Sequence, residues 1–170
     1  MSASAPEILF CEAEIAKRVA GLAAEIAPLQ PDFAAPILAG AFVFAADLLR
    51  ALARDGLSLP MEFLWLRSYD AKKSGEIDVL SGPTEAVRGK TVLLIDGVLD
   101  RGSTIVKARA LLKKAGAKSV IAAVAVDKLR ADALTHADVA MFQGVSDFVI
   151  GYGMDEDGRD RGLPYIASVS

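Results

Sequence analysis

Residues 92–104, Val-Leu-Leu-Ile-Asp-Gly-Val-Leu-Asp-Arg-Gly-Ser-Thr, concentrate the groups able to do chemistry. An apolar run leads into Asp96 and Asp100, two carboxylates four residues apart. Gly102 and the hydroxyls of Ser103 and Thr104 follow, and the chain passes into a helical pattern. In an open α/β sheet, ligands bind outside the carboxyl ends of the strands. The free N–H groups and the dipole of a helix start favour phosphate. Carboxylates in the same crevice suit sugar hydroxyls, a metal or a proton in transit. The segment reads as a sugar-phosphate pocket with acidic groups beside it.

The flanking pattern supplies elements to hold such a pocket. Val92–Ile95 is apolar throughout, which predicts a buried, parallel strand covered on both faces. A helix is predicted over 103–115, with Ile105, Val106, Ala108, Leu111 and Leu112 facing the sheet and Gly116 just past its end. Ser119–Val126 reads as the next buried strand, so strand, helix and strand form a right-handed βαβ unit. Upstream, Ile15, Val19, Leu22, Ala23 and Ile26 fall at helical spacing until Pro28. Pro36–Ala39 reads as a short strand broken by Gly40, and Phe42–Ala53 as a helix. Met61–Leu66 and Ile77–Leu80 suit strands around a polar, aperiodic loop at about 69–76. The last 40 residues mix short strands with a turn-rich stretch, Gly151–Gly162.

Length and composition set outer limits. A chain of 170 residues is expected to form one domain, 1–170, with a substantial core. Net charge is −3, with 19 basic and 22 acidic residues, so no global field recruits nucleic acid or an anionic membrane. The longest uncharged run, Phe33–Ala46, has 14 residues and contains Pro36 and Gly40, too short to span a bilayer. Cys11 alone excludes an internal disulfide framework and suits a reducing compartment. The N-terminus lacks a basic region leading into an apolar core, so no secretory signal is expected. A cytoplasmic location follows as the expectation. His136, the one histidine, is expected at the surface or in packing, which leaves no histidine–cysteine zinc site. The 53% hydrophobic content, much of it alanine, suggests that some apolar surface covers a subunit interface.

Val92–Thr104 resembles the phosphoribosyl-pyrophosphate signature of type I phosphoribosyltransferases. Further segments resemble the 6-oxopurine, or hypoxanthine-guanine, branch: Leu38–Phe42 with Ala46–Arg50, Ser68-Tyr69, Val126–Lys128, Phe148–Gly153 and Arg161–Ile166. They stand in the family's order and cover nearly the whole chain. The resemblance implies a central, mostly parallel sheet flanked by helices, with a small hood from the terminal segments, about 1–11 and 128–170. It implies transfer of ribose 5-phosphate from phosphoribosyl pyrophosphate (PRPP) to N9 of hypoxanthine or guanine, releasing pyrophosphate with Mg²⁺. Partners are then small molecules, with no nucleic acid and no membrane, and a homodimer or homotetramer is expected.

Position by position, the resemblance places Asp100 on the catalytic carboxylate near purine N7; without it, Asp100 reads as a cap on the following turn. Arg101, Gly102, Ser103 and Thr104 fall on the 5′-phosphate loop, where Ser103-Thr104 would equally serve as a helix N-cap. Asp96 falls on ribose and metal binding, and Ala39 and Gly40 on the pyrophosphate loop. Lys128 falls on the donor to purine O6, Phe148 on the stacking aromatic, and Val149 on the residue whose backbone reads the purine edge. Asp155 matches a metal-contacting carboxylate and Arg161 a pyrophosphate-binding arginine; for both, a salt bridge within the acidic stretch Asp155–Asp160 is the plainer alternative. Ser68 and Tyr69 open the loop that closes over the site, with Lys72, Lys73 and Gly75 giving it charge and freedom.

Three positions depart from the resemblance. A Glu-Asp pair expected at the end of the signature strand is Asp96-Gly97. A lysine or arginine expected in the pyrophosphate loop is Ala39. A small residue, commonly threonine, is Arg101. The losses weaken ribose and pyrophosphate binding on paper and admit a second reading, a non-catalytic PRPP- or nucleotide-binding protein on the same fold. They also make a repair testable on paper: Gly97→Asp and Ala39→Lys would tighten PRPP. A dinucleotide-binding module is disfavoured because Gly-x-Gly-x-x-Gly is missing.

Overall fold

The computed structural model describes residues 6–68 and 77–169, apart from the side chain of Ser68. In chain order the elements are β1 (Glu7–Phe10), α1 (Glu12–Ile26), β2 (Phe33–Leu38), α2 (Phe42–Arg54), β3 (Leu64–Ser68) and β4 (Ile77–Ser81). They continue as β5 (Thr91–Leu99), α3 (Ser103–Lys114), β6 (Ser119–Asp127), β7 (Val139–Gln143), β8 (Phe148–Ile150) and β9 (Ile166–Val169). The central sheet runs β4-β3-β2-β5-β6-β7, parallel except for the edge strand β4. A second, antiparallel sheet, β1-β9-β8, joins the two ends of the chain.

The uninterrupted apolar run of β5 has a direct cause: both of its faces are covered. Leu93 and Ile95 pack with Leu22, Phe44 and Leu48 of α1 and α2. Val92 and Leu94 pack on the other face with Ile105, Ala108 and Leu112 of α3. From β2 the chain crosses outward through α2 to β3; from β5 it crosses the other way through α3 to β6. The switch point therefore lies between the carboxyl ends of the adjacent strands β2 and β5, where an open α/β sheet forms its binding crevice.

Several local expectations change in the folded chain. β5 extends past Ile95 to Leu99, because Asp96, Val98 and Leu99 continue the ladder with β6. Met61 makes only an isolated bridge to Ala34, and β3 begins at Leu64, where pairing with Ile37 starts. Val106 is 43% exposed rather than facing the sheet. The buried stripe is Ile105, Ala108 and Leu112, and Val106 stands about 100° round the helix from it. Val139–Gln143 lies at the edge of the central sheet, so not all of 128–170 belongs to the hood. No helix of the described residues is long and apolar enough to cross a membrane.

Candidate active site

At the switch point lies an open cleft of about 590 Å³. Its floor is the loop after β2 and the end of β5. Ala39 and Gly40 line it, and the Leu38–Ala39 peptide is cis. Two glycines hold this loop against the sheet. A Cβ at Gly97 would stand 2.8 Å from the Gly40 carbonyl oxygen, and a Cβ at Gly153 only 2.6 Å from the same atom. Both distances are below what real Cβ atoms adopt, so the loop can seat here only because both positions are bare.

Asp96 lines the cleft and accepts a 2.7 Å hydrogen bond from the Gly97 N–H. Burial pushes its carboxyl up to about 7, against the lowering effect of that N–H. Asp100 lies between two cations, with Arg130 Nε 3.2 Å from Oδ1 and Lys128 Nζ 3.6 Å from Oδ2. Oδ1 is enclosed while the side chain as a whole is 48% exposed, which leaves Oδ2 as the oxygen open to the cleft.

Lys128 and Arg130 owe their positions to a residue the sequence did not single out. Asp127 is 1% exposed; its Oδ1 accepts from Leu129 N–H at 2.9 Å and its Oδ2 from Ala137 N–H at 3.1 Å. The carboxylate thus ties together both ends of the loop after β6. A buried acid ending an apolar strand is the signal that could have revealed it, since such groups persist only when hydrogen-bonded.

Across the cleft, Phe148 is half-exposed and Val149 buried, both on β8. Arg161 pairs with Asp155 Oδ1 at 2.7 Å and donates to the Gly153 carbonyl at 2.8 Å. Asp155 Oδ2 accepts from Gly158 N–H at 2.7 Å. The salt bridge weighed from sequence therefore exists, and it lies on the cleft wall.

The phosphate loop is only partly as expected. Thr104 lines the cleft, but Ser103 faces a neighbouring groove with Asp78 and Lys107. Ser103 and Thr104 do not cap α3. Gly102 occupies the N-cap at φ +81° and ψ +6°, with no side-chain capping bond. The first-turn N–H groups are thereby left for a ligand. Gly102 is tightly enclosed, since a Cβ there would meet Thr135 at 2.8 Å. Arg101 turns outward, 67% exposed and 3.4 Å from Asp132, and does not line the cleft. Tyr69 and the rest of the expected lid, 69–76, lie outside the described residues, as does the side chain of Ser68. Asp100 caps nothing in the turn; its near neighbours are the two cations.

Comparison with known proteins gives this geometry a family. A phosphoribosyl transferase domain matches residues 9–157. The chain is 32% identical over 171 residues to the hypoxanthine phosphoribosyltransferase of Escherichia coli (strain K12), covering 96% of this chain and 94% of that protein. The chain belongs to the hypoxanthine-guanine phosphoribosyltransferase family. It is also 33% identical over 168 residues to the hypoxanthine-guanine phosphoribosyltransferase of Bacillus subtilis (strain 168), covering 94% of this chain and 91% of that one. A variant of the hypoxanthine phosphoribosyltransferase from Trypanosoma cruzi, complexed with the product IMP, matches with a TM-score of 0.88 at 28% identity, covering 100% of this chain and 94% of that chain.

Within this phosphoribosyltransferase the departures acquire physical reasons. Gly97 is demanded by the Gly40 carbonyl, so the second acid of the expected pair has no room in this packing. Ala39 is exposed and meets no such obstacle.

The raised carboxyl of Asp96 carries a stability consequence. Between its ordinary value of 3.8 and about 7, the folded protein holds a proton that the unfolded chain has released. The native state binds more protons in that window, so this contribution to stability falls as pH rises through it. Ligand-free Asp96→Asn should therefore gain on the wild type between pH 5 and pH 7.5, by about 1–3 kcal/mol after allowance for solvent screening at the cleft. Urea unfolding at the two pH values measures it; a difference between the proteins that stays constant with pH would refute the assignment.

Proposed function

We propose that this cleft transfers the 5-phosphoribosyl group of PRPP to N9 of a 6-oxopurine, hypoxanthine or guanine, in purine salvage, with pyrophosphate as the leaving group. One observation carries the reading. Asp100, with an open oxygen beside Lys128, shares one cleft with Thr104 at the uncapped start of α3 and with Phe148 and Val149. A sugar phosphate and a purine then meet at the same carboxylate.

The assigned roles follow from those positions. The first-turn N–H groups of α3 and the Thr104 hydroxyl hold the 5′-phosphate. Asp96 accepts from ribose hydroxyls. The purine lies on Phe148 with its edge toward the Val149 backbone, and Lys128 donates to O6. Asp100 Oδ2 takes the N7 proton as N9 bonds to the ribose carbon, while Arg161 and the backbone of the Ala39–Gly40 loop stabilise the charge that develops on pyrophosphate. Anchoring both ends of PRPP supplies orientation, and fixed charges aimed at the leaving group supply electrostatic stabilisation.

Among the described residues no group of three or more acidic, histidine or cysteine side chains could hold a metal alone. Of the three carboxylates that line the cleft, Asp96 and Asp155 are the two not assigned to proton transfer. That set fits Mg²⁺, which is commonly held by one or two carboxylates together with substrate phosphates. When bound, the ion neutralises leaving-group charge.

We assign the protein to the cytoplasm as a homodimer or homotetramer. Support for self-association comes from the exposed Phe63, Trp65 and Leu80 on and beside the β3–β4 edge.

Purified protein with PRPP, Mg²⁺ and each of hypoxanthine, guanine and xanthine should form nucleotide with at least one base; none with any base would overturn the reading. Lys128→Ala should raise KM for the base about 10-fold or more, the worth of one charged hydrogen bond, while KM for PRPP moves little. An equal rise for both substrates would make Lys128 structural.

A further inference from the structure

The cations of the cleft are unevenly committed. Lys128 has a side chain only 9% exposed and lies against Asp100. Arg161 is engaged by Asp155 and by the Gly153 carbonyl. Arg67 lines the same cleft, is exposed, and makes no ion pair or hydrogen bond to another side chain among the described residues. Asp78 stands opposite it in the β3–β4 register, yet the two form no ion pair.

The position of Arg67 follows from the sheet. Leu64 and Leu66 are buried in the α3-side core, so Trp65 and Arg67, alternating with them, project from the opposite face. That is the face on which α2 packs and toward which the Ala39–Gly40 loop leads. β3 runs parallel to β2 with Trp65 paired to Leu38, so Arg67 stands one strand away from that loop, about 5 Å across. Ala39 ends at Cβ, and among the described residues Arg67 is the cation lining this cleft that no other side chain engages. A planar guanidinium matches phosphate oxygens in pairs.

We infer that Arg67 binds the pyrophosphate group of PRPP from the β3 side, supplying from position 67 the positive charge that position 39 lacks. The inference rests on the transferase reading above.

Calorimetry with Mg²⁺, using PRPP, pyrophosphate and IMP as separate probes, tests it. Arg67→Ala should lose about 10- to 100-fold in affinity for PRPP and for pyrophosphate, and none for IMP, which carries no pyrophosphate. Arg67→Lys should keep part of the affinity. Ala39→Lys added to Arg67→Ala should restore much of it by returning a cation to the neighbouring strand end. Unchanged PRPP affinity in Arg67→Ala overturns the inference, and wild-type nucleotide formation beside it would leave the transferase reading standing. A loss of equal size for all three probes also overturns it, since a general distortion would produce that. A wild type that binds neither PRPP nor IMP overturns the transferase reading and the inference with it.

Discussion

Asp100→Asn should reduce turnover about 100-fold or more, while PRPP affinity and thermal stability stay close to the wild type. The size is that of losing a positioned general base. Asparagine preserves the shape of the side chain but cannot take a proton from purine N7. Folding is spared because Asp100 is half-exposed, asparagine keeps its shape, and the ion pair with Arg130, whose side chain is 40% exposed, is worth about 1 kcal/mol or less. PRPP binding is spared because its phosphates are held elsewhere, at the start of α3 and on the Arg161 wall. Turnover at saturating substrates, with PRPP calorimetry beside it, separates these effects. Wild-type turnover would remove Asp100 from the chemistry, and a matched loss of PRPP affinity would move it to substrate binding.

Gly97→Asp should lower both stability and PRPP affinity, the reverse of the repair that the sequence suggests. The added Cβ would stand 2.8 Å from the Gly40 oxygen, 3.1 Å from its carbonyl carbon and 3.4 Å from Met154 Cγ. The first two are backbone atoms and cannot swing aside as a side-chain tip can. Either the pyrophosphate loop or the end of β5 must shift, and overpacking of this kind costs about 1–3 kcal/mol. In a chain of this length that lowers Tm by about 2–10 °C. Gly97→Ala should show most of the same loss, because Cβ is the offending atom. Ala39→Lys, at an exposed site, should leave Tm near the wild type. Thermal melts and PRPP calorimetry on the three variants decide the matter. A Gly97→Asp protein that melts at the wild-type temperature and binds PRPP more tightly would show that the loop has slack the packing denies.

How much of this was legible in sequence depended on how far each feature reaches along the chain. The all-apolar Val92–Ile95 run announced a strand covered on both faces, and α1 and α2 grip one of those faces while α3 grips the other. The spacing of Ile105, Ala108 and Leu112 announced the buried stripe of α3, and Gly116, at φ +97°, ends that helix as expected. Asp96, Asp100 and Thr104 announced a crevice at the strand end, and all three line it. Each is a local signal, because periodicity and turn chemistry act over a few residues.

Tertiary structure decided the rest. Arg101 fell on the phosphate loop by resemblance, but it is exposed and pairs with Asp132, 31 positions downstream. Ser103-Thr104 looked like a cap, but Gly102 takes that position beneath Thr135. Gly97 looked like a lost carboxylate. Its cause is the carbonyl of Gly40, clamped also by Gly153, so that segments far apart in the chain meet at one oxygen atom. The sequence by itself determined the strands, the helices and the chemical groups at their ends. Which groups face the cleft, and which positions must stay bare, depended on close approach between segments distant in sequence, where a few tenths of an ångström separate contact from clash.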